Sequence, residues 1–162
     1  MRFGIGYDIH RLVPVESEGS IMLGGVAVPC KYKTIAHSDG DVILHSITDG
    51  LLGSLALGDI GQWFSDKDPV NKGRNSLDFL QAALAEVKRL GWKPEQVDLN
   101  LFAEEPKIAP VSDSIRQNLC MALGLEMPAV SLKAKTMEGL GPIGEKKAVA
   151  CQALVVIRSV KH

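Results

Sequence analysis

The stretch that most constrains the fold is VACQALVVI, residues 149–157, in which nearly every side chain is apolar. A strand with one solvent-exposed face alternates polar and apolar residues, whereas a strand covered on both faces is apolar almost throughout. The sequence therefore predicts a strand in the middle of a sheet, paired on both sides. RFGIGYDIH (residues 2–10), VDLNLFA (97–103) and VSLKAK (130–135) are predicted as further strands.

Helices are predicted between these strands. Apolar residues recur at helical spacing from Asp41 to Leu57, and a second such pattern begins at Ser76, which we interpret as its N-cap. A third helix is predicted to begin at Pro110 and to end at Gly124. Interleaved strands and helices favour an α+β fold, a two-layer α/β sandwich with helices on one face of the sheet.

IMLGGVAVP, residues 21–29, is interpreted as a short strand or hairpin that is interrupted by glycine and ends at Pro29. Because this stretch is not expected to add a full strand, the expected sheet is mixed and mainly four-stranded. The 162 residues contain no repeat and no linker rich in Gly, Pro or Ser, so we expect a single domain over residues 1–162.

Charge and cysteine content exclude several classes of protein. A formal net charge of −1 gives no electrostatic reason to expect a nucleic-acid or membrane partner, and no apolar run has the length of a membrane span. The cysteines are odd in number and far apart, at positions 30, 120 and 151, which is typical of free thiols in a reducing compartment. We expect the protein in the cytoplasm.

A possible metal site is indicated by an Asp and two His residues. Asp8 and His10 are two apart on a predicted strand, so their side chains leave the same face. His45 lies one turn into the first predicted helix, with Asp41 and Asp49 four residues away on either side. One carboxylate and two imidazoles would give zinc three ligands and leave a fourth position open, as in catalytic sites. A flanking carboxylate would hold the second nitrogen of His45.

The alternative for these residues is structural, because D-x-H is a common pattern and Asp39 or Asp41 is expected to cap the helix.

Asp59, Asp66 and Asp68 form an acidic loop, which is either a solvated turn or a set of hydrogen-bond acceptors for a polyol. The sequence lacks a Walker A motif, H-E-x-x-H, G-x-S-x-G and a Rossmann fingerprint. If this is an enzyme, the nucleophile comes from the substrate or from metal-bound water.

Four motifs together resemble the 2-C-methyl-D-erythritol 2,4-cyclodiphosphate synthase family: GYDIH, HSDGDVILHSITDGLLGSLALGDIGQWFSDKDP, AEEPKIAP and KAKTMEGLG. The likeness covers nearly the whole chain. It implies a homotrimer with sheets around a three-fold axis and active sites between neighbouring subunits. It also implies an enzyme of the non-mevalonate route to isoprenoids, which cyclises 4-diphosphocytidyl-2-C-methyl-D-erythritol 2-phosphate and releases CMP. The 2-phosphate of the substrate attacks the β-phosphorus.

The resemblance also implies roles for individual residues by motif position. Asp8, His10 and His45 would bind zinc or another divalent transition metal, and Glu138 would bind a second divalent ion, Mg²⁺ or Mn²⁺. His37 and Thr136 would stabilise the transition state. The remaining implied substrate contacts include Ile9, Ser38 and Met137, the methylerythritol pocket (Asp59, Ile60, Gly61, Phe64, Ser65, Asp66, Lys67, Asp68), the cytosine loop of the adjacent subunit (Ala103, Glu104, Glu105, Pro106, Lys107, Ile108, Ala109), and Lys135 with Thr136 at the nucleotide phosphates.

The segment LGPIGEKKA departs from the family pattern. Pro142 replaces a usual phenylalanine and Glu145 a usual arginine, at positions that line an axial cavity for isoprenoid diphosphates in some members. A carboxylate in place of a guanidinium reverses the charge that faces an anion, so we expect weak or absent binding of isoprenoid diphosphate there.

Two other functions stay open: a zinc-dependent phosphate-ester hydrolase, and a trimer that binds nucleotides without turnover.

Overall fold

Five strands form one mixed sheet in the computed structural model, which describes residues 1–65 and 68–160. The strands are β1 (Arg2–Leu23), β2 (Val26–Ile35), β3 (Trp92–Phe102), β4 (Val130–Lys135) and β5 (Ala148–Ser159). Their order is β2-β1-β5-β3-β4, so β5 is central, as its apolar sequence predicted. The β3–β4 pair is parallel and the other pairs are antiparallel.

The expectation of a mainly four-stranded sheet is wrong, because the first strand continues to Leu23 and returns as a full edge strand, β2. The turn between them is formed by Gly24 and Gly25, with φ of 60° and 77°, a conformation that glycine adopts without steric cost. Pro29 does not end this hairpin but lies inside β2, where an edge strand tolerates the missing N–H. Glycine and proline are typical of strand ends, so the sequence did not indicate a strand of the full length of β2.

The three predicted helices are present, with small shifts at their ends. The helices are α1 (Val42–Ser54), α2 (Ile60–Trp63), α3 (Ser76–Arg89), α4 (Ser112–Leu123) and α5 (Gly141–Gly144), and 3-10 turns cover Pro69–Asn71 and Met127–Ala129. Asn75 rather than Ser76 is the N-cap of α3, since its side chain accepts a hydrogen bond from Leu77 N. α4 ends as predicted at Gly124, whose φ is 66°.

The three long helices, α1, α3 and α4, cover one face of the sheet. The buried core consists of α1 side chains such as Leu44, Ile47 and Leu51 and of inward strand residues such as Leu99 and Val155. The opposite face is apolar, and it is exposed because these helices leave it uncovered. Its exposed side chains include Phe3, Ile5, Tyr7, Ile9 and Leu154. Among the described residues, no helix is both long and apolar enough to cross a membrane.

Candidate functional site

Asp8, His10 and His45 converge on one point between β1 and α1. Asp8 Oδ2 lies 3.0 Å from His10 Nε2 and 2.9 Å from His45 Nδ1, and the two ring nitrogens are 3.2 Å apart. A tetrahedral ion with ligand bonds of about 2.0–2.2 Å separates its ligand atoms by roughly 3.3–3.6 Å. The donor set therefore has the composition and nearly the spacing of a three-residue zinc site, and it suits a divalent transition metal.

Close packing of α1 on β1 makes this convergence possible. The alternation of β1 directs Asp8 and His10 towards the helix layer, together with Gly4 and Gly6. A Cβ atom on Gly6 would overlap the backbone carbonyl of Ser46, so any larger residue would push the helix away from the strand. Two glycines on the inner face of β1 thus allow His45, one residue before Ser46, to reach the strand.

The second ring nitrogen of His45 is held by serine hydroxyls. Nε2 lies 2.7 Å from Ser76 Oγ and 3.2 Å from Ser38 Oγ, and the Ser76 hydroxyl donates in turn to Asp39 Oδ1. Sequence reasoning assigned Ser76 only to a cap. Its contact with His45 spans 31 positions in the chain, and no local signal predicts it.

A flanking carboxylate was expected at this nitrogen, and that expectation is wrong. Asp41 is fully buried and accepts hydrogen bonds from the backbone amides of Gly24, Gly25, Ile43 and Leu44, so it ties the β1–β2 turn to the start of α1. Asp49 accepts a hydrogen bond of 2.8 Å from Ile60 N. Both carboxylates therefore have structural roles. The hydroxyl of Ser76, and not a carboxylate, contacts His45 Nε2 directly.

The charge at the centre comes from Asp8. Burial alone would raise the pKa of this carboxyl, but hydrogen bonds from His10 and His45 outweigh burial and hold the pKa well below its usual range. Burial also raises the pKa of nearby Asp49, and the charges of Asp59 and Asp8 add to that shift. Asp8 is therefore an ionised carboxylate beside two imidazoles, which attracts a cation.

A cavity of about 350 Å³ opens beside the cluster. It is lined by Asp8, Ile9, His10, Ile35, Ala36, His37, Ser38, His45, Ile60, Gly61, Phe64, Asn71 and Phe79. Of the residues assigned to the methylerythritol pocket, Ile60, Gly61 and Phe64 are on its wall. Asp59 and Asp68 instead cap short helical turns, accepting from Gln62 N and Val70 N. Ser65 is absent from the lining, and Asp66 and Lys67 lie outside the described residues.

The residues assigned to the nucleotide form a second cluster at the carboxyl ends of parallel β3 and β4. Ala103 N donates to the carbonyl of Lys135, and Met137 N donates to the Glu104 carboxylate at 2.8 Å. The Thr136 hydroxyl donates to Glu138 at 2.9 Å, and both side chains are exposed. Of residues 103–109 and 135–138, none lines the cavity beside His45 in the described subunit. One subunit thus presents two separate halves of the expected site.

The divergent segment around Pro142 lies on the outer face of the sheet. Pro142 lines a groove of about 630 Å³ with Ile9, Arg11 and Lys147. Glu145 accepts a hydrogen bond of 2.6 Å from Lys147 Nζ, so a carboxylate already neutralises one of the cations beside this groove. Weak binding of isoprenoid diphosphate stays a prediction, and this ion pair supports it.

Comparison with known proteins gives a consistent result. The model of the YgbB family matches residues 1–158. A protein of Treponema denticola named 2-C-methyl-D-erythritol 2,4-cyclodiphosphate synthase is 45% identical over 157 residues, which cover 97% of this chain and 96% of the relative. A protein of the same name from Gloeobacter violaceus is 47% identical over 158 residues, 97% and 94% of the two chains. The IspF–CDP complex of Plasmodium falciparum superposes with a TM-score of 0.85 at 37% identity and 98% and 96% coverage.

Proposed function

Because this chain belongs to the YgbB family of cyclodiphosphate synthases, we propose which of its residues carry out the reaction of that family. The activity is that of a lyase of isoprenoid precursor biosynthesis, which forms 2-C-methyl-D-erythritol 2,4-cyclodiphosphate and releases CMP. The substrate is a cytidine nucleotide, in keeping with the CDP found in the P. falciparum relative. The residue roles, the metals and the oligomer below are our proposals.

Asp8, His10 and His45 are proposed to bind one zinc ion, and their convergence within 2.9–3.2 Å is the observation that carries the proposal. A bound ion supplies positive charge to the β-phosphate during attack. The three side chains provide only three ligands, so a phosphate oxygen has a coordination position open to it. Repulsion between two anionic phosphoryl groups is the main barrier of this reaction, and the centre is placed to reduce it.

His37 and Ser38 are proposed to contact the phosphates at the rim of the cavity. His37 is exposed there, and its carbonyl accepts a hydrogen bond from Gly73 N, which fixes the loop beside the cluster. The Ser38 hydroxyl contacts His45 and accepts a hydrogen bond from Gly40 N, and its proposed role is to bind phosphate. The 2-phosphate of the substrate is the nucleophile, and holding both reacting groups on one bound molecule provides the orientation.

The methylerythritol unit is proposed to lie against Ile60, Gly61 and Phe64, which form one wall of the cavity. The exposed Asp59 and Asp68 carboxylates are proposed to accept hydrogen bonds from this unit. Ser65, Asp66 and Lys67 are proposed as further contacts by motif position alone. Phe64 stacks on Phe79 with ring centroids 4.6 Å apart, and Phe79 in turn contacts His45. This aromatic contact holds the wall at a fixed distance from the metal ligands.

The nucleotide half of the site is proposed to come from a neighbouring subunit of a homotrimer. Glu138 would bind Mg²⁺ or Mn²⁺, which commonly use one protein carboxylate plus phosphate oxygens. Thr136 and Lys135 would contact the phosphates, and residues 103–109 would contact cytosine. The uncovered apolar face of the sheet supports this assembly, since Phe3 and Ile5 are 61% and 69% exposed in the single subunit.

We also propose a single domain over residues 1–162 and a cytoplasmic location. The three cysteines are free thiols, and burial raises the pKa of Cys151 to about 12, so this thiol is unreactive. Free, unreactive cysteines suit a reducing compartment.

The test is an assay of CMP release with identification of the phosphorus product by ³¹P NMR. The proposal predicts one equivalent of CMP and a cyclic diphosphate, with no incorporation of ¹⁸O from labelled water. A linear phosphate that carries ¹⁸O would instead indicate a zinc-dependent hydrolase. Tight nucleotide binding without CMP release would indicate a non-catalytic trimer.

A further inference from the structure

We propose that Ser76 and Asp39 are a positioning pair, which fixes the tautomer and orientation of His45 and thereby sets the metal affinity of the Asp8–His10–His45 centre. This inference rests on the proposed function, because it concerns the same metal site. Neither residue lines the cavity, so both would act through His45 rather than on the substrate.

The directions of the hydrogen bonds carry the argument. A carboxylate can only accept, and Asp39 accepts twice from Ser76: Oδ1 from the hydroxyl and Oδ2 from the backbone N–H at 3.0 Å. The single hydroxyl proton of Ser76 is therefore committed to Asp39. Its oxygen, 2.7 Å from His45 Nε2, can then only accept, so Nε2 carries a proton.

A metal binds His45 through Nδ1, which in the metal-free cluster contacts Asp8 Oδ2 at 2.9 Å and His10 Nε2 at 3.2 Å. A proton held on Nε2 favours release of Nδ1 to the ion, whereas an imidazole protonated on Nδ1 alone would keep its N–H at the point where the ion must bind. The pair therefore favours the form of His45 that binds a metal.

Ser38 is the other hydroxyl near His45 Nε2, but it is less suited to set the tautomer. Its oxygen is 3.2 Å from the nitrogen and also accepts a hydrogen bond from Gly40 N. Within residues 1–65 and 68–160, no carboxylate accepts a hydrogen bond from the Ser38 hydroxyl as Asp39 does from Ser76, so the direction of the Ser38 contact with His45 is not fixed.

Ser76 is not needed as a helix cap, which separates the proposed role from a merely structural one. Asn75 caps α3, while Ser76 is the first helical residue and is completely buried. The backbone amide of Asp39 also donates to the carbonyl of Arg74 at 3.2 Å. The segment that contains Asp39 is therefore held against the start of α3 even without the Ser76 hydroxyl.

The first test uses Ser76→Ala, with Ser54→Ala as the matched control. Ser54 is also a buried serine, but its hydroxyl donates to Leu51 O within α1, away from the site. Long-range ¹H–¹⁵N spectra of the metal-free enzyme should show His45 protonated on Nε2 in wild type and Ser54→Ala, and a partial loss of that proton in Ser76→Ala. In competition with a chelator, zinc affinity should fall about 10- to 100-fold in Ser76→Ala alone. The rate lost by this variant should be partly restored by excess zinc.

The second test is Asp39→Asn, which keeps the side-chain volume and also serves if Ser76→Ala does not fold. An amide N–H₂ facing Ser76 allows the hydroxyl to turn towards His45 Nε2, so the tautomer should shift towards Nδ1–H and zinc affinity should fall. If the two residues act as a pair, the double variant should lose no more zinc affinity than Ser76→Ala alone.

The outcomes separate this inference from the proposed function. A wild-type enzyme that binds no zinc would overturn both. Wild-type zinc binding with unchanged tautomer and affinity in Ser76→Ala and Asp39→Asn would overturn the positioning pair and leave the metal site standing. Additive losses in the double variant would also contradict the pair.

Discussion

At the residue scale, the centre holds three potential ligand atoms in mutual contact. Asp8 Oδ2, His10 Nε2 and His45 Nδ1 lie within 3.2 Å of each other. An ion bound here would take the place of the protons through which the imidazoles contact Asp8, because a metal requires deprotonated ligand nitrogens. Metal binding is therefore expected to release protons and to stabilise the protein.

Glu138→Gln tests the separation of the two metals at the residue scale. Glu138 is exposed and contacts Thr136, and it does not line the cavity beside the zinc ligands. We expect full zinc content, a higher Mg²⁺ requirement and a rate lower by roughly two orders of magnitude, because one cation would lose its only protein carboxylate. Zinc analysis and Mg²⁺ titration of CMP release measure this. Loss of zinc with an unchanged Mg²⁺ requirement would reverse the assignment.

The sequence alone predicts the position of some side chains of the site but not of others. Alternation along a strand placed Asp8 and His10 on one face without any knowledge of the fold. The place of Ser76 beside His45 depends on how α3 packs against α1, which no local pattern encodes. The expected carboxylate partners failed for a related reason, since Asp41 and Asp49 are both taken up by backbone amides.

At the element scale, the contact of α1 with β1 determines whether His45 reaches the strand. We expect Gly6→Ala to destabilise the protein by about 1–3 kcal/mol, because its Cβ would overlap the α1 backbone, and to weaken zinc binding. Gly53→Ala in α1 is the matched control, since its Cβ would meet nothing closer than 4.0 Å. This control should gain about 0.5–1 kcal/mol from helix propensity. Urea unfolding measures both, and equal stability of Gly6→Ala and wild type would contradict the packing argument.

Elements with a clear period were predictable, and those interrupted by glycine or proline were not. The core helices α1 and α4 and the apolar strand β5 follow from hydrophobic spacing. The hairpin of β1 and β2 was underestimated because Gly24, Gly25 and Pro29 resemble a strand end in isolation. Pairing across the sheet overrides that local signal, which is why β2 was predicted only as part of a short strand or hairpin.

At the scale of the whole molecule, the proposed homotrimer requires that each active centre combine half-sites from two subunits. Mixing His45→Ala with Glu138→Gln tests this directly, because each variant damages a different half. After joint unfolding and reassembly at equal amounts, a shared site predicts recovery of about one quarter of wild-type activity, since that share of interfaces unites two intact halves. No recovery above the sum of the separate variants would place both halves in one subunit. Each variant reassembled alone is the control.

The central claim is that Asp8, His10 and His45 bind one ion, and anomalous diffraction at the zinc edge tests it most directly. Crystals of the zinc-loaded enzyme should show a single strong peak in each subunit, about 2.0–2.2 Å from Asp8 Oδ2, His10 Nε2 and His45 Nδ1. The peak should be missing from His45→Ala crystals grown in the same zinc. A wild-type peak elsewhere, or one that survives unchanged in His45→Ala, would contradict the account.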